Sequence, residues 1–242
     1  MKSLALALIP LAAAGALAAD RDRGPGLTGQ QQGDALVYPA RNFDAVSLAG
    51  ASRVVVHTGG AFAVRAEVPA EAFGNFRVAV KGRTLEVGRR YEGRRDYPLE
   101  SRIVVHVTLP VLTAASVAGS GRIDADRAGG ARFSGNVGGS GALRIGQLDA
   151  RTAELSLGGS GEIAAAGTIG ALKSSVGGSG RIVAPALRAS QASVSIGGSG
   201  SVRVAVAGKA DVLMAGSGSV DLGPQARCSI NKVGSGTVRC GG

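Results

Sequence analysis

From about residue 113 to the end of the chain, apolar and polar residues alternate, and a recurring Gly-Ser-Gly triplet sets the phase. It stands at Gly119-Ser120-Gly121, Gly139-Ser140-Gly141, Gly159-Ser160-Gly161, Gly178-Ser179-Gly180, Gly198-Ser199-Gly200, Gly216-Ser217-Gly218 and Gly234-Ser235-Gly236, with the central serines 18–20 residues apart. Three places after each serine come Ile123, Leu143, Ile163, Ile182, Val202, Val220 and Val238. Three places before it come Val117, Val137, Leu157, Val176, Ile196 and Met214, then Lys232, where Val233 reads as slipped by one. Polar residues such as Arg122, Asp124, Arg144, Glu162 and Arg181 fill the alternate positions. A period of two is the pattern of a strand with one buried and one wet face. Each unit therefore predicts a strand, a Gly-Ser-Gly corner, a second strand and a loop such as residues 126–130.

One unit alone has no partner for its backbone groups and almost no core. Stacking units solves both problems, because each strand pairs with its counterpart in the next coil and the inward residues form a continuous apolar column. The expected fold is all-β, a right-handed parallel β-helix of about seven coils, the hand following from the general preference of parallel crossovers. At about 4.8 Å per paired strand, seven coils make a rod roughly 34 Å long. The corner glycines supply backbone conformations that a β-carbon penalises, and the serines would stack as a ladder along one edge.

Upstream, residues 36–112 are strand-rich but irregular. Val46, Leu48, Val54 and Val56 flank Gly50-Ala51-Ser52 at the offsets used later around Gly-Ser-Gly, which reads as a degenerate coil. Residues 62–68, 76–80, 84–87 and 103–109 alternate as strands, and Lys81-Gly82-Arg83 has the composition of a hairpin turn. Residues 36–242 are expected to form one domain, irregular over 36–112 and regular over 113–242; an independent N-terminal domain is the alternative. Residues 1–18 read as a signal peptide, with Lys2, an apolar run and Ala16-Leu17-Ala18 before the cleavage point. The run is too short and too interrupted, by Pro10 and Gly15, for a membrane span. Residues 19–35 read as a flexible leader. The chain is expected to be exported, to the periplasm or the cell surface.

Composition narrows the chemistry. Forty glycines in 242 residues fit a corner-rich solenoid, and 3% aromatics imply a narrow interior of Val, Ile, Leu and Ala. The formal net charge is +10. Two cysteines, Cys228 and Cys240, both fall in the inward phase. In an exported protein they predict a disulfide closing the last coil, two buried thiols being the alternative.

Specific chemical motifs are weak. A phosphate-binding loop needs a helix after its glycines, whereas these triplets precede strands. Gly138-Gly139-Ser140-Gly141-Ala142-Leu143 lacks the carboxylate of a calcium-binding roll. Ser229-Ile230-Asn231-Lys232 matches a Ser-x-x-Lys pattern without the Lys-Thr-Gly strand that gives it meaning. His57 and His106, the two histidines, sit apart in alternating strands, and Asp124 and Asp126 read as a solvated edge. No metal, cofactor or catalytic residue is expected. The charge run Arg89-Arg90-Tyr91-Glu92-Gly93-Arg94-Arg95 could meet an anionic envelope polymer through Arg89, Arg90, Arg94 and Arg95, or be a solvated hairpin loop. Export and the lack of stacking aromatics argue against nucleic acid.

The order of these features (a Phe43-Asp44-Ala45-Val46 opening, Gly82-Arg83-Thr84-Leu85, Val107-Thr108-Leu109-Pro110, then the triplet array) resembles the bacterial family called putative autotransporter adhesin, head GIN domain. The resemblance covers roughly residues 36–242. It implies a β-solenoid, an envelope-associated location and no catalytic residues. The expected function is a non-enzymatic exported adhesin or envelope structural or binding module, with an anionic polymer or cell-surface component as partner. The alternative is a carbohydrate-active enzyme or polysaccharide-binding module on a parallel β-helix, against which the lack of tryptophan counts.

Overall fold

The computed structural model describes residues 24–90 and 97–241. The expected signal peptide lies outside them, as do Arg94 and Arg95. The chain forms a β-solenoid of about six turns, and the seven triplets bound those turns. Five strands come first: β1 (Gln30–Gln32), β2 (Ala35–Tyr38), β3 (Ala45–Gly50), β4 (Arg53–Thr58) and β5 (Ala63–Glu67). A hairpin follows, β6 (Phe76–Lys81) and β7 (Thr84–Arg89), then a short helix α1 (Tyr97–Glu100), β8 (Val104–Leu109) and β9 (Ala114–Gly119). The regular coils are β10 (Arg122–Gly139), β11 (Ala142–Gly159), β12 (Glu162–Gly178) and β13 (Arg181–Gly198). The shorter final coils hold β14 (Ser201–Val206), β15 (Lys209–Gly216), β16 (Ser219–Asp221), β17 (Arg227–Val233) and β18 (Thr237–Arg239).

The alternation read from the sequence is the burial pattern. Ile123, Leu143, Ile163, Ile182, Val202 and Val220 are buried, and so are Val117, Val137, Leu157, Val176, Ile196 and Met214. One hydrophobic cluster runs from Tyr38 to Ala226. Each coil pairs in parallel with the next, Ile123 opposite Leu143 and Leu143 opposite Ile163.

The expected loop at residues 126–130 is strand. Arg127, Ala128, Gly129 and Gly130 pair with Gln147, Leu148, Asp149 and Ala150, within one continuous 18-residue β10. The chain turns where the ladder skips a pair, at Asp126/Gly146 and again at Ala131/Arg151. Two consecutive outward residues, Asp126 and Arg127, mark the first bend. Together with the triplet, these bends give each regular coil three sides.

Gly50-Ala51-Ser52 is a true corner of the stack. β3 pairs with β9, Gly50 opposite Gly119, and β4 pairs with the start of β10. On their other side β3 and β4 pair in parallel with β7 and β8. The coil that comes earlier in sequence is therefore second in the stack. Antiparallel strands close that end: β6 on β7, β5 on β8, β2 on β5 and β1 on β2. The hairpin turn lies at Gly82, as the sequence predicts, with Lys81 opposite Thr84. The expected flexible leader is held to this cap over part of its length. Leu27 donates its N–H to the Val78 carbonyl at 2.7 Å and packs on the core, and Gln30–Gln32 pairs with β2.

The corners are tied by two rails of backbone hydrogen bonds. Ser140 and Gly141 both donate to the Gly119 carbonyl, at 3.0 and 2.9 Å, and Ser160 and Gly161 donate likewise to Gly139. The second rail runs from Ala142 N–H to the Gly121 carbonyl and from Glu162 N–H to Gly141. Every bond points the same way, so one end of the stack presents unmatched N–H groups and the other unmatched carbonyls. Side chains of the appropriate charge meet both. The buried Glu100 carboxylate accepts the Ala51 N–H at 3.2 Å. At the far end Lys232 donates from Nζ to the Gly236 carbonyl at 2.8 Å. The expected slip at Val233 does not occur: Lys232 stays opposite Met214, and Val233 points outward, 71% exposed.

Cys228 in β17 and Cys240 after β18 are joined by a disulfide, with their Cα atoms 6.2 Å apart. It crosses the last coil, where the apolar column opens and Ile230 is 49% exposed. In the chain-entropy picture a loop of this length contributes about 3 kcal/mol. Replacing both cysteines with serine should lower the unfolding free energy by about that amount in a urea titration. A change under about 0.5 kcal/mol would show that the bond does not hold the coil.

Candidate binding groove

A groove of about 580 Å³ lies on the outer side of β10–β13 and β15. Register dictates its construction. One outward column holds Arg132, Thr152, Ala171 and Gln191, one residue per coil. A second holds Ser134, Glu154, Lys173, Ser193 and Asp211. Between them lies the inward column Phe133, Ala153, Leu172, Ala192 and Ala210. The small Ala153, Ala171 and Ala192 leave the space, and the flanking polar side chains wall it. Since Arg132 and Asp211 are separated by four coil steps, the groove runs roughly 19 Å along the axis.

Its walls carry the cations Arg132, Lys173 and Lys209 and the anions Glu154 and Asp211. Lys173 Nζ lies 3.0 Å from Glu154 Oε1, an exposed pair across neighbouring coils. Thr152, Gln191 and Ser193 add neutral donors and acceptors. Glu154 and Asp211 stand three steps apart in one column, roughly 14 Å. A pair of glycosidase carboxylates needs about 5–10 Å, so these two are spaced as wall charges rather than as an acid and a nucleophile.

The sequence-predicted site residues lie elsewhere. Arg89 turns inward: its Nε is 3.0 Å from Glu100 Oε1, with only 17% and 9% of the two side chains exposed. Arg90 is half-buried and donates its backbone N–H to the Asn75 carbonyl at 2.7 Å. Neither is the freely solvated cation of a loop. Asp124 and Asp126 bind across the coil rather than standing as a loose edge. Asp124 accepts from Arg53 at 2.8 Å. Asp126 accepts from the Thr58 N–H at 3.0 Å and lies 3.3 Å from His57 Nδ1. Burial works against the charged Asp126 carboxyl, but the hydrogen bonds from Thr58, Arg127 and His57 outweigh it and hold its pKa below the ordinary value. His106 Nε2 lies 3.7 Å from Glu67 Oε1. Glu162, hydrogen-bonded by Arg181 and close to Arg144, is likewise held below its ordinary pKa. The serines of the triplets are all exposed and line one edge of the rod.

With this geometry in place, the chain can be set beside known proteins. Residues 42–242 match the family described as "Putative auto-transporter adhesin, head GIN domain", and the chain belongs to that family. Solved structures share its fold. A protein described as a putative adhesin from Bacteroides fragilis superposes with a TM-score of 0.75 at 21% identity, over 89% of this chain and 100% of its own. One described as a putative lipid binding protein from Parabacteroides distasonis gives 0.65 at 20% identity, over 88% and 98%. A putative adhesin from Parabacteroides merdae gives 0.64 at 17%, over 90% and 99%. No curated protein matches the sequence. Family and fold together define an adhesin-like β-solenoid module.

Proposed function

We propose that this chain is a non-enzymatic, exported adhesin-like module that binds an extended, anionic polymer of the cell envelope or cell surface along the groove of β10–β13 and β15. The reading treats residues 36–242 as one unit delivered by a signal peptide over residues 1–18. It rests chiefly on one observation: the groove presents a row of polar side chains at one-coil intervals across five coils. A repetitive surface of that kind suits a repetitive ligand, held by many weak, evenly spaced contacts rather than by one deep pocket. Family membership favours a surface-binding role and an envelope location. The wide carboxylate spacing favours binding over hydrolysis.

Calorimetric titration with oligogalacturonate, a neutral glucan and purified lipopolysaccharide tests it. Binding of an anionic polymer should weaken as salt is raised, since exposed charges are screened over about 8 Å at physiological ionic strength. Replacing Ala171 with Glu fills the groove from its wall without entering the core and adds a repelling charge, and should reduce affinity for an anionic polymer about ten-fold or more, with an unchanged melting temperature. Affinity untouched by Ala171→Glu and by Arg132→Ser would end the groove reading, as would hydrolysis of any of the three polymers.

A further inference from the structure

We propose that a second, smaller groove, beside the first three corners of the stack, is a binding site for a single anionic group: a carboxylate, sulfate or phosphate. This groove, about 280 Å³, is lined by Arg53, Arg122, Ser101, Ser120 and Ser140, with the corner backbone as its floor. It lies at the Gly-Ser-Gly edge and is distinct from the long groove, so the proposal stands independently of the polymer reading.

The charge arrangement carries the argument. The outer face that follows the corners pairs four of its arginines with acids: Arg53 with Asp124, Arg144 and Arg181 with Glu162, and Arg203 with Asp221. Arg122 has no carboxylate within ion-pair distance among the described residues. It also stands directly opposite Arg53 in the β4–β10 ladder. Like charges facing each other across paired strands destabilise a sheet, and Asp124 neutralises only one of the two. On the other side of Arg122 the next coil offers Ala142, whose short side chain opens the groove. Ser120 and Ser140, on successive coils, bring exposed hydroxyls to the same cleft. A guanidinium with no carboxylate partner among the described residues, a second one beside it and two hydroxyls about 4.8 Å apart form a donor set for an oxyanion. Arginine's planar fork suits that role better than lysine's point charge.

The test is an amide NMR titration of the full-length mature protein with inorganic phosphate at constant ionic strength. Saturable shifts should centre on Gly121, Arg122 and Ala142. Arg122→Gln should weaken binding at least about ten-fold, the scale of one lost charged hydrogen bond, and Arg122→Lys should weaken it less. Arg239→Gln, at the far end of the same outer face, should leave it unchanged. Parallel titrations with oligogalacturonate and with phosphatidylglycerol vesicles separate a glycan carboxylate from a lipid phosphate as the source, each supporting the site if its binding depends on Arg122. Phosphate shifts that never saturate, or that Arg122→Gln leaves as they were, would overturn the proposal. Loss of polymer binding in Ala171→Glu with saturable, Arg122-dependent phosphate binding retained would support the two sites as independent.

Discussion

Replacing Glu100 with Ala is expected to lower the unfolding free energy by about 3–5 kcal/mol, the usual cost of removing one partner of a buried ion pair. Glu100 belongs to no coil, yet it occupies the place of one. A β-carbon built on Gly119 would meet the Gly50 carbonyl oxygen at 2.7 Å, and one on Gly139 would meet Gly119 at 2.6 Å. On Gly50 the same atom would meet Glu100 Oε2 at 2.8 Å. The carboxylate thus stands where a preceding coil would put its carbonyl, accepting the Ala51 N–H as Gly119 accepts that of Ser140. Its negative charge suits an end of the rail made of unmatched N–H groups, and Arg89 at 3.0 Å balances it. Removing it strands both the Arg89 guanidinium and the corner amide. Glu100→Gln keeps an acceptor and should cost less; Glu100→Leu with Arg89→Leu removes both charges and should recover part of the loss. Urea denaturation gives the free energies, and hydrogen exchange at Ala51 reports the local effect. A Glu100→Ala protein within about 0.5 kcal/mol of the parent, with Ala51 still protected, would show that the stack needs no acceptor at that end.

The regular half of the fold was legible because a period of two, phased by the triplet, directly encodes which face is buried. Ile163 and Ile182 needed nothing more. The same alternation hid its own bends. Asp126-Arg127-Ala128-Gly129-Gly130 has the composition of a loop, but the neighbouring coil supplies a ladder for it, and pairing overrides local propensity. Alternation also cannot name a partner, so the placement of β7 and β8 beneath β3 and β4 was not readable. For Arg89 a signal existed: it continues the inward phase of Leu85 and Val87, which sets it apart from a solvated charge run. The long groove depends on small residues, Ala153 and Ala192, recurring in one inward column between two polar ones. That correspondence emerges only once the register is known. Glu100 left no trace in the repeat, because a separate turn of chain delivers it. The same holds for Lys232, which in sequence looks like a defect in an apolar column and in the structure closes the opposite end.

The neighbouring glycines Gly158 and Gly159 should respond in opposite ways to alanine. Gly159 has φ +112°, a backbone conformation that an L side chain rarely adopts, and its added β-carbon would meet the Gly139 carbonyl oxygen at 2.5 Å and the carbon behind it at 3.2 Å. Those atoms are rail backbone and cannot rotate away as a side chain could. Relief requires the coils to part at the corner, breaking the bonds that Ser160 and Gly161 make to Gly139. Backbone strain of about 1–3 kcal/mol and overpacking of about 1–3 kcal/mol together predict a loss of roughly 3–5 kcal/mol for Gly159→Ala. At Gly158 a β-carbon would meet nothing within 4 Å, and its φ is not in the positive region. Other coils carry Ala118 and Ala215 at the equivalent place. Gly158→Ala should therefore be neutral or stabilise by about 0.4–1 kcal/mol, through the reduced freedom of the unfolded chain. Comparing the two variants by thermal and urea unfolding isolates the corner geometry, because they differ by one position and share the same chemical change. Equal losses at both positions would show that the triplet's first glycine is not the structural requirement of the coil.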